Sequence, residues 1–179
     1  MKIVVLGLGN ILLRDEGVGV RVVEALAERY AIPAEIEVVD GGTAGMDLLN
    51  TLAGCDHLLI CDAVRTGAPP ASVVRLVDAE VPALFLTRFS PHQLGLAEVL
   101  ATLVLTGEAP GAVTLVGVVP LDLELGLELS SQVSAVVGQA VECLATELRG
   151  LGFTLEPRSP VFFPSPPTPL PQGERGVPA

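Results

Sequence analysis

The 179-residue chain lacks an apolar run long enough to cross a bilayer, although half of its residues are hydrophobic. Its N-terminus also lacks the basic region, hydrophobic core and small-residue cleavage site of a signal peptide, and a glycine turn breaks its first apolar run. Both absences lead to the expectation of a cytoplasmic protein without membrane insertion. Basic residues are scarce: ten Lys and Arg against 21 Asp and Glu leave a formal net charge of −11. That balance disfavours nucleic acid phosphates and anionic membranes, so neither is expected as a partner. It suits a soluble enzyme, or one whose partner is basic or metal-bearing. The cysteines, Cys55, Cys61 and Cys143, are odd in number and form no CxxC, so they are expected to be reduced and mostly buried. There is no GxSxG elbow, no HExxH and no phosphate loop. Gly7 and Gly9 look like the start of a dinucleotide fingerprint, but Leu12 replaces its third glycine and the following helix begins too late to hold a pyrophosphate. No nucleotide is therefore expected.

What is present is a strand–loop–helix opening, Met1 to Leu26. Ile3 to Leu6 reads as a strand and enters the Gly7-Leu8-Gly9-Asn10 turn; the acidic pair Asp15-Glu16 precedes a helix from about Gly17 to Tyr30. Further strands are expected over Glu35 to Asp40, over "HLLICDA", over Ser72 to Asp78 and over Ala112 to Pro120. The continuous Leu58-Leu59-Ile60-Cys61 run fits a strand buried on both faces. Between them, a helix is expected over Ala44 to Leu52 with Thr43 as its cap. A second begins at Ser90-Pro91, with Gln93 as capping-box partner, and runs to about Leu105. A last, long helix runs from Ser130 or Ser131 to Arg149 and buries Val133, Val136, Val137, Ala140, Val141, Leu144 and Leu148. The alternation predicts a three-layer α/β domain of the phosphorylase/hydrolase-like kind over residues 1–156. Its mostly parallel, five-stranded twisted sheet has flavodoxin-like winding and helices on both faces. Residues 157–179 are proline-rich, without periodicity, and read as a disordered or extended tail.

Open parallel sheets carry their chemistry at the carboxyl ends of strands. Glu16, Asp62 and His92 each fall at such an end or in the loop after it. The helix start around His92 disfavours imidazolium and leaves a neutral ring able to ligate metal. Two carboxylates and one imidazole form an oxygen/nitrogen set suited to a divalent first-row metal such as nickel or zinc, with open positions left over. Each residue also has a plainer reading: Glu16 as a first-turn acid, Asp62 as a loop cap and His92 as a surface residue. His57 starts its strand about 16 Å from Asp62 and is taken as structural or solvent-exposed. Cys61 lies inside an apolar strand, which argues against a nucleophile pair with His92.

The stretches "GLGNILLRDEGVGVRVVEAL", "VVDGGTAGMDLL", "HLLICDAV", "SPHQLGLAEVL" and "TLVGVVP" closely resemble the [NiFe]-hydrogenase maturation endopeptidases of the uptake type, over roughly Met1 to Gly150. The resemblance implies a protease that removes the C-terminal extension of the hydrogenase large-subunit precursor after nickel insertion. It places the family's metal-contacting and catalytic residues on Glu16, Asp62 and His92, with Asp40 a further candidate for shaping the site. Nickel would arrive with the substrate, with zinc or cadmium as substitutes in vitro, and a monomer is expected. Two other readings remain at this stage: a non-cleaving, nickel-sensing maturation chaperone of the large subunit, and a nucleotide-binding regulator built on the Gly7-Gly9 turn.

Overall fold

A computed structural model describes residues 1–78, 80–81 and 91–158, the side chains of Pro91 and His92 excepted. The most apolar runs form the centre of the sheet. Strand β1 (Ile3–Leu8) is buried at every position, and β4 (His57–Ala63) from Leu58 onward, as expected of strands flanked on both sides and covered on both faces. β1 runs parallel to β3 (Ile36–Gly42) on one side and to β4 on the other, and β4 runs parallel to β6 (Ala112–Val118). The sheet order among the described residues is β3-β1-β4-β6-β5. Flavodoxin-like winding sets the first strand beside the one beginning at His57, and the two pair, with Gly7 opposite Cys61. The edge strand β5 (Val73–Val77) is antiparallel to β6. The short segment between Ala63 and Val73 carries no helix to cross a face of the sheet, so the chain returns in the opposite direction.

Alternate strand residues feed two cores. Ile3, Val5, Leu59, Cys61, Val116 and Val118 face helices α1 (Val18–Arg29) and α4 (Ser131–Gly150). Val4, Leu6, Leu58, Ile60 and Leu115 face the short α2 (Leu49–Leu52) and α3 (Pro91–Thr106). This gives the three layers. On α4, Val133, Ala140, Val141, Leu144 and Leu148 are buried as the periodicity predicts, while Val136 and Val137 are partly buried. Ser130 caps that helix, its hydroxyl accepting from the Val133 N–H at 3.4 Å.

The helix expected from Ala44 is shorter than its sequence pattern. A 3-10 turn over Met46–Leu48 leads into α2, behind Gly45 and without a side-chain cap from Thr43. The backbone is still turning there, because Gly42 has φ +45° and the Ala44 N–H donates to Gly41 O at 2.8 Å. At the other end of the chain, β7 (Glu156–Pro157) pairs antiparallel with β2 (Tyr30–Ala31), and the Arg158 N–H donates to Arg29 O at 2.8 Å. Pro157 and Arg158 are thus tied to the domain. The remainder of the proline-rich tail lies outside the described residues, as does the expected cap Ser90. No described helix is long and apolar enough to cross a membrane.

Candidate functional site

The loop after β1 folds back on itself at Gly9. Its φ is +124°, and a Cβ there would stand 1.8 Å from the Glu16 carbonyl oxygen, so only glycine allows the crossing. The crossing strand of this loop is the 3-10 turn Arg14–Gly17, which carries Glu16, 7% exposed. Helix α1 then starts directly on the sheet. A Cβ on Gly19 would lie 2.1 Å from Cys61 O and 2.3 Å from Leu8 O, so the first turn of α1 rests on the carboxyl ends of β1 and β4. Asp62 follows Cys61 in β4 and is fully buried. The 3-10 turn contacts β4, which brings the Glu16 segment to the strand end that bears Asp62.

A buried carboxylate needs hydrogen-bond partners. Asp62 Oδ1 accepts the Ala63 N–H at 2.8 Å, and Oδ2 accepts from Gln93 Nε2 at 2.9 Å. The same amide nitrogen donates to Ala63 O at 3.0 Å. Gln93, 2% exposed, is the third residue of α3, so the first turn of that helix is fastened to the end of β4. His92 is the preceding residue in that turn, and only its backbone is described. The three expected site residues thus sit on three segments meeting at the carboxyl end of the central strands: a 3-10 turn, a strand end and a helix start. Among the described side chains, no group of three or more His, Cys, Asp and Glu is placed to hold a metal; the expected trio requires the His92 ring, which is not among them.

Two residues matter here beyond that trio. The capping-box partner expected of Gln93 is Ser90, outside the described residues, but the Gln93 amide nitrogen reaches Asp62 and Ala63. Asp15 is fully buried, and its carboxylate accepts from the backbone N–H groups of Leu121, Asp122 and Ser130 and from the Ser130 hydroxyl, at 2.7–3.0 Å. Of the adjacent acids, Asp15 binds the loop after β6, and Glu16 is buried within the 3-10 turn that contacts β4. A sequence signal existed in the paired acids before a helix, but nothing local distinguishes which of the two faces which way.

Asp40 is exposed at the end of β3, and its Oδ1 accepts the Gly42 N–H at 3.0 Å. That bond shapes the DGGT turn, which borders a cavity of about 290 Å³ together with Gly9, Asn10, Ile11 and Leu12. His57 pairs with Ile3 and Ala112 at the opposite end of the sheet, its Nε2 3.1 Å from Thr114 Oγ1, in keeping with a structural role. Cys55, Cys61 and Cys143 are all free. Burial, and secondarily the neighbouring Asp62, push the Cys61 thiol far up, so it does not ionise to a nucleophile.

Comparison with known proteins agrees with this architecture. The hydrogenase maturation protease family model matches residues 20–147. A hydrogenase 2 maturation protease of Escherichia coli is 50% identical over 162 residues, spanning 90% of this chain and 99% of the relative. The hydrogenase expression/formation protein HupD of Rhodobacter capsulatus is 40% identical over 153 residues, 84% of this chain and 73% of that protein. Among solved structures, the hydrogenase maturating endopeptidase HybD from E. coli superposes with a TM-score of 0.86 at 52% identity, covering 88% of this chain and 98% of that one. The [NiFe] hydrogenase maturation protease HybD from Thermococcus kodakarensis gives 0.68 at 28% identity, covering 82% and 99%. With the matching fold, the glycine-dependent first loop and the acids at the carboxyl end of the sheet, the chain belongs to the hydrogenase maturation protease family.

Proposed function

We propose that this protein is an endopeptidase that removes the C-terminal extension of a [NiFe]-hydrogenase large-subunit precursor once nickel has been inserted. The observation that carries the reading is the buried Gln93–Asp62 bond, which fastens the helix start bearing His92 to the strand end bearing an acid. Nickel belongs to the substrate. Glu16, Asp62 and His92 supply oxygen and nitrogen donors that complete the coordination of a nickel held by the precursor's cysteine thiolates. A loaded precursor alone gains that ligand energy, which couples cleavage to prior insertion. The metal would polarise the scissile carbonyl or activate a water; alternatively, Asp62 or Glu16 would serve as the base that takes the water proton. Zinc or cadmium would occupy the same donors in vitro.

The test incubates the full chain with nickel-loaded and nickel-free precursor and follows the mass of the precursor. Loss of the extension in the loaded sample alone supports the endopeptidase. Tight binding with no change in mass would make the protein a nickel-sensing chaperone instead, and equal cleavage of both samples would remove nickel from recognition. His92→Ala is expected to abolish processing with an unchanged circular dichroism spectrum; normal cleavage by that variant would take His92 out of the site.

A further inference from the structure

The loop from β6 to α4 reads Leu121-Asp122-Leu123-Glu124-Leu125-Gly126-Leu127-Glu128-Leu129, with leucine at every second position. In a half-buried strand that alternation would hide the leucines. No strand forms here beyond an isolated bridge between Leu13 and Gly126. Leu121, Leu125 and Leu127 stand 49%, 82% and 62% exposed, and the first loop exposes Ile11 and Leu12 at 38% and 55%. The two loops are laced together. Gly126 N–H donates to Leu12 O at 2.9 Å, Arg14 N–H to Gly126 O at 3.0 Å and Asp15 N–H to Asp122 O at 3.1 Å. The patch is therefore a built surface on the same first loop as Glu16. Scattered apolar side chains need no explanation, but five exposed ones gathered on two hydrogen-bonded loops point to an interaction site.

We propose that this leucine-and-acid rim docks an extended polypeptide segment of the substrate, one carrying apolar side chains flanked by Lys or Arg, and holds it beside Glu16 and Asp62. The proposal rests on the endopeptidase reading. Charge selects the occupant. Glu124 and Glu128 are exposed between the leucines, whereas Asp122 is already paired with Arg14 at 2.9 Å. On a chain of net charge −11, a basic segment is steered in, and a second copy of this rim would be repelled.

The test measures binding and processing of the nickel-loaded precursor by three full-length variants: Leu125→Ser with Leu127→Ser, Glu124→Lys with Glu128→Lys, and Leu105→Ser as control. Leu105 is 87% exposed, at the far end of α3 from Gln93. The leucine double variant is expected to raise KM and Kd about tenfold or more while kcat stays within about twofold. The charge reversal is expected to raise KM and flatten its dependence on salt, and the control to match the parent. A leucine double variant within about twofold of the parent in KM, or a control impaired as much, would overturn the docking surface. So would a concentration-dependent dimer of the parent that the leucine variant loses. If the parent binds the precursor through these leucines but never cuts it, the endopeptidase reading fails and the docking surface stands. If the parent cuts it and the rim variants do not matter, the reverse holds.

Discussion

The Asp15 carboxylate holds Ser130 twice, Oδ1 accepting its backbone N–H at 2.7 Å and Oδ2 its hydroxyl at 2.8 Å. Through this contact the first loop, the loop after β6 and the cap of α4 form one unit. The acid is buried and all its bonds run to neutral donors, so each lost bond would leave a desolvated group. Asp15→Ala is expected to cost about 3 kcal/mol or more of stability, read as a lower urea midpoint at unchanged slope. Asp15→Asn keeps one acceptor oxygen and should fall between the two. A loss below about 1 kcal/mol for the alanine variant would show that water replaces the carboxylate.

Gln93 orients rather than reacts. With Gln93→Ala, Asp62 Oδ2 loses the Gln93 amide as a donor, and the first turn of α3 loses this hydrogen-bonded link to the end of β4. Turnover at saturating precursor should fall about tenfold or more, as small misplacements of reacting groups do. KM should change less. Gln93→Glu places one carboxylate against another and should do worse than alanine at neutral pH, recovering toward it as the pH falls. Equal activity of both variants and the parent would dismiss the positioning role.

Gly9→Ala separates crowding from backbone strain. Both Gly9 and Gly107 have positive φ, +124° and +74°, but a Cβ meets Glu16 O at Gly9 and open space at Gly107. Gly107→Ala should cost about 1 kcal/mol, from conformation alone. Gly9→Ala should cost more and should also depress processing, because Glu16 must move. Paired thermal melts and precursor assays check this; equal melting losses with full activity would refute it.

Acid stability has a traceable contributor in Glu147. Arg75 Nε and Nη2 donate to its two oxygens at 2.7 and 2.9 Å, joining β5 to α4. Those hydrogen bonds, opposed by partial burial, hold the carboxyl below its ordinary 4.5. A lowered folded pKa gives stability that is present above the unfolded value and lost as the pH falls through the folded one. Glu147→Gln should therefore cost about 0.5–1 kcal/mol at neutral pH, and the gap between variant and parent should close as the pH falls below the ordinary carboxylate range. A gap that stays constant with pH would assign the loss to packing.

Much of this arrangement was legible in residue order. The unbroken Leu58-Leu59-Ile60-Cys61 run identified a central strand, and the apolar spacing on α4 identified its buried face, because periods of two and 3.6 are local properties of the backbone. The motifs around Glu16, Asp62 and His92 carried the family resemblance. Thr43 misled as a cap because the turn at Gly42 delays the helix, which composition does not reveal.

Periodicity and turn chemistry, written in neighbouring residues, were enough to name the layers. Only the folded chain decided that β5 runs antiparallel at the edge, that Asp15 serves the loop after β6, and that Gln93 reaches Asp62. The reason is range: those bonds join residues 115 and 31 positions apart, and their partners are chosen by how the sheet is wound rather than by what lies nearby in the chain.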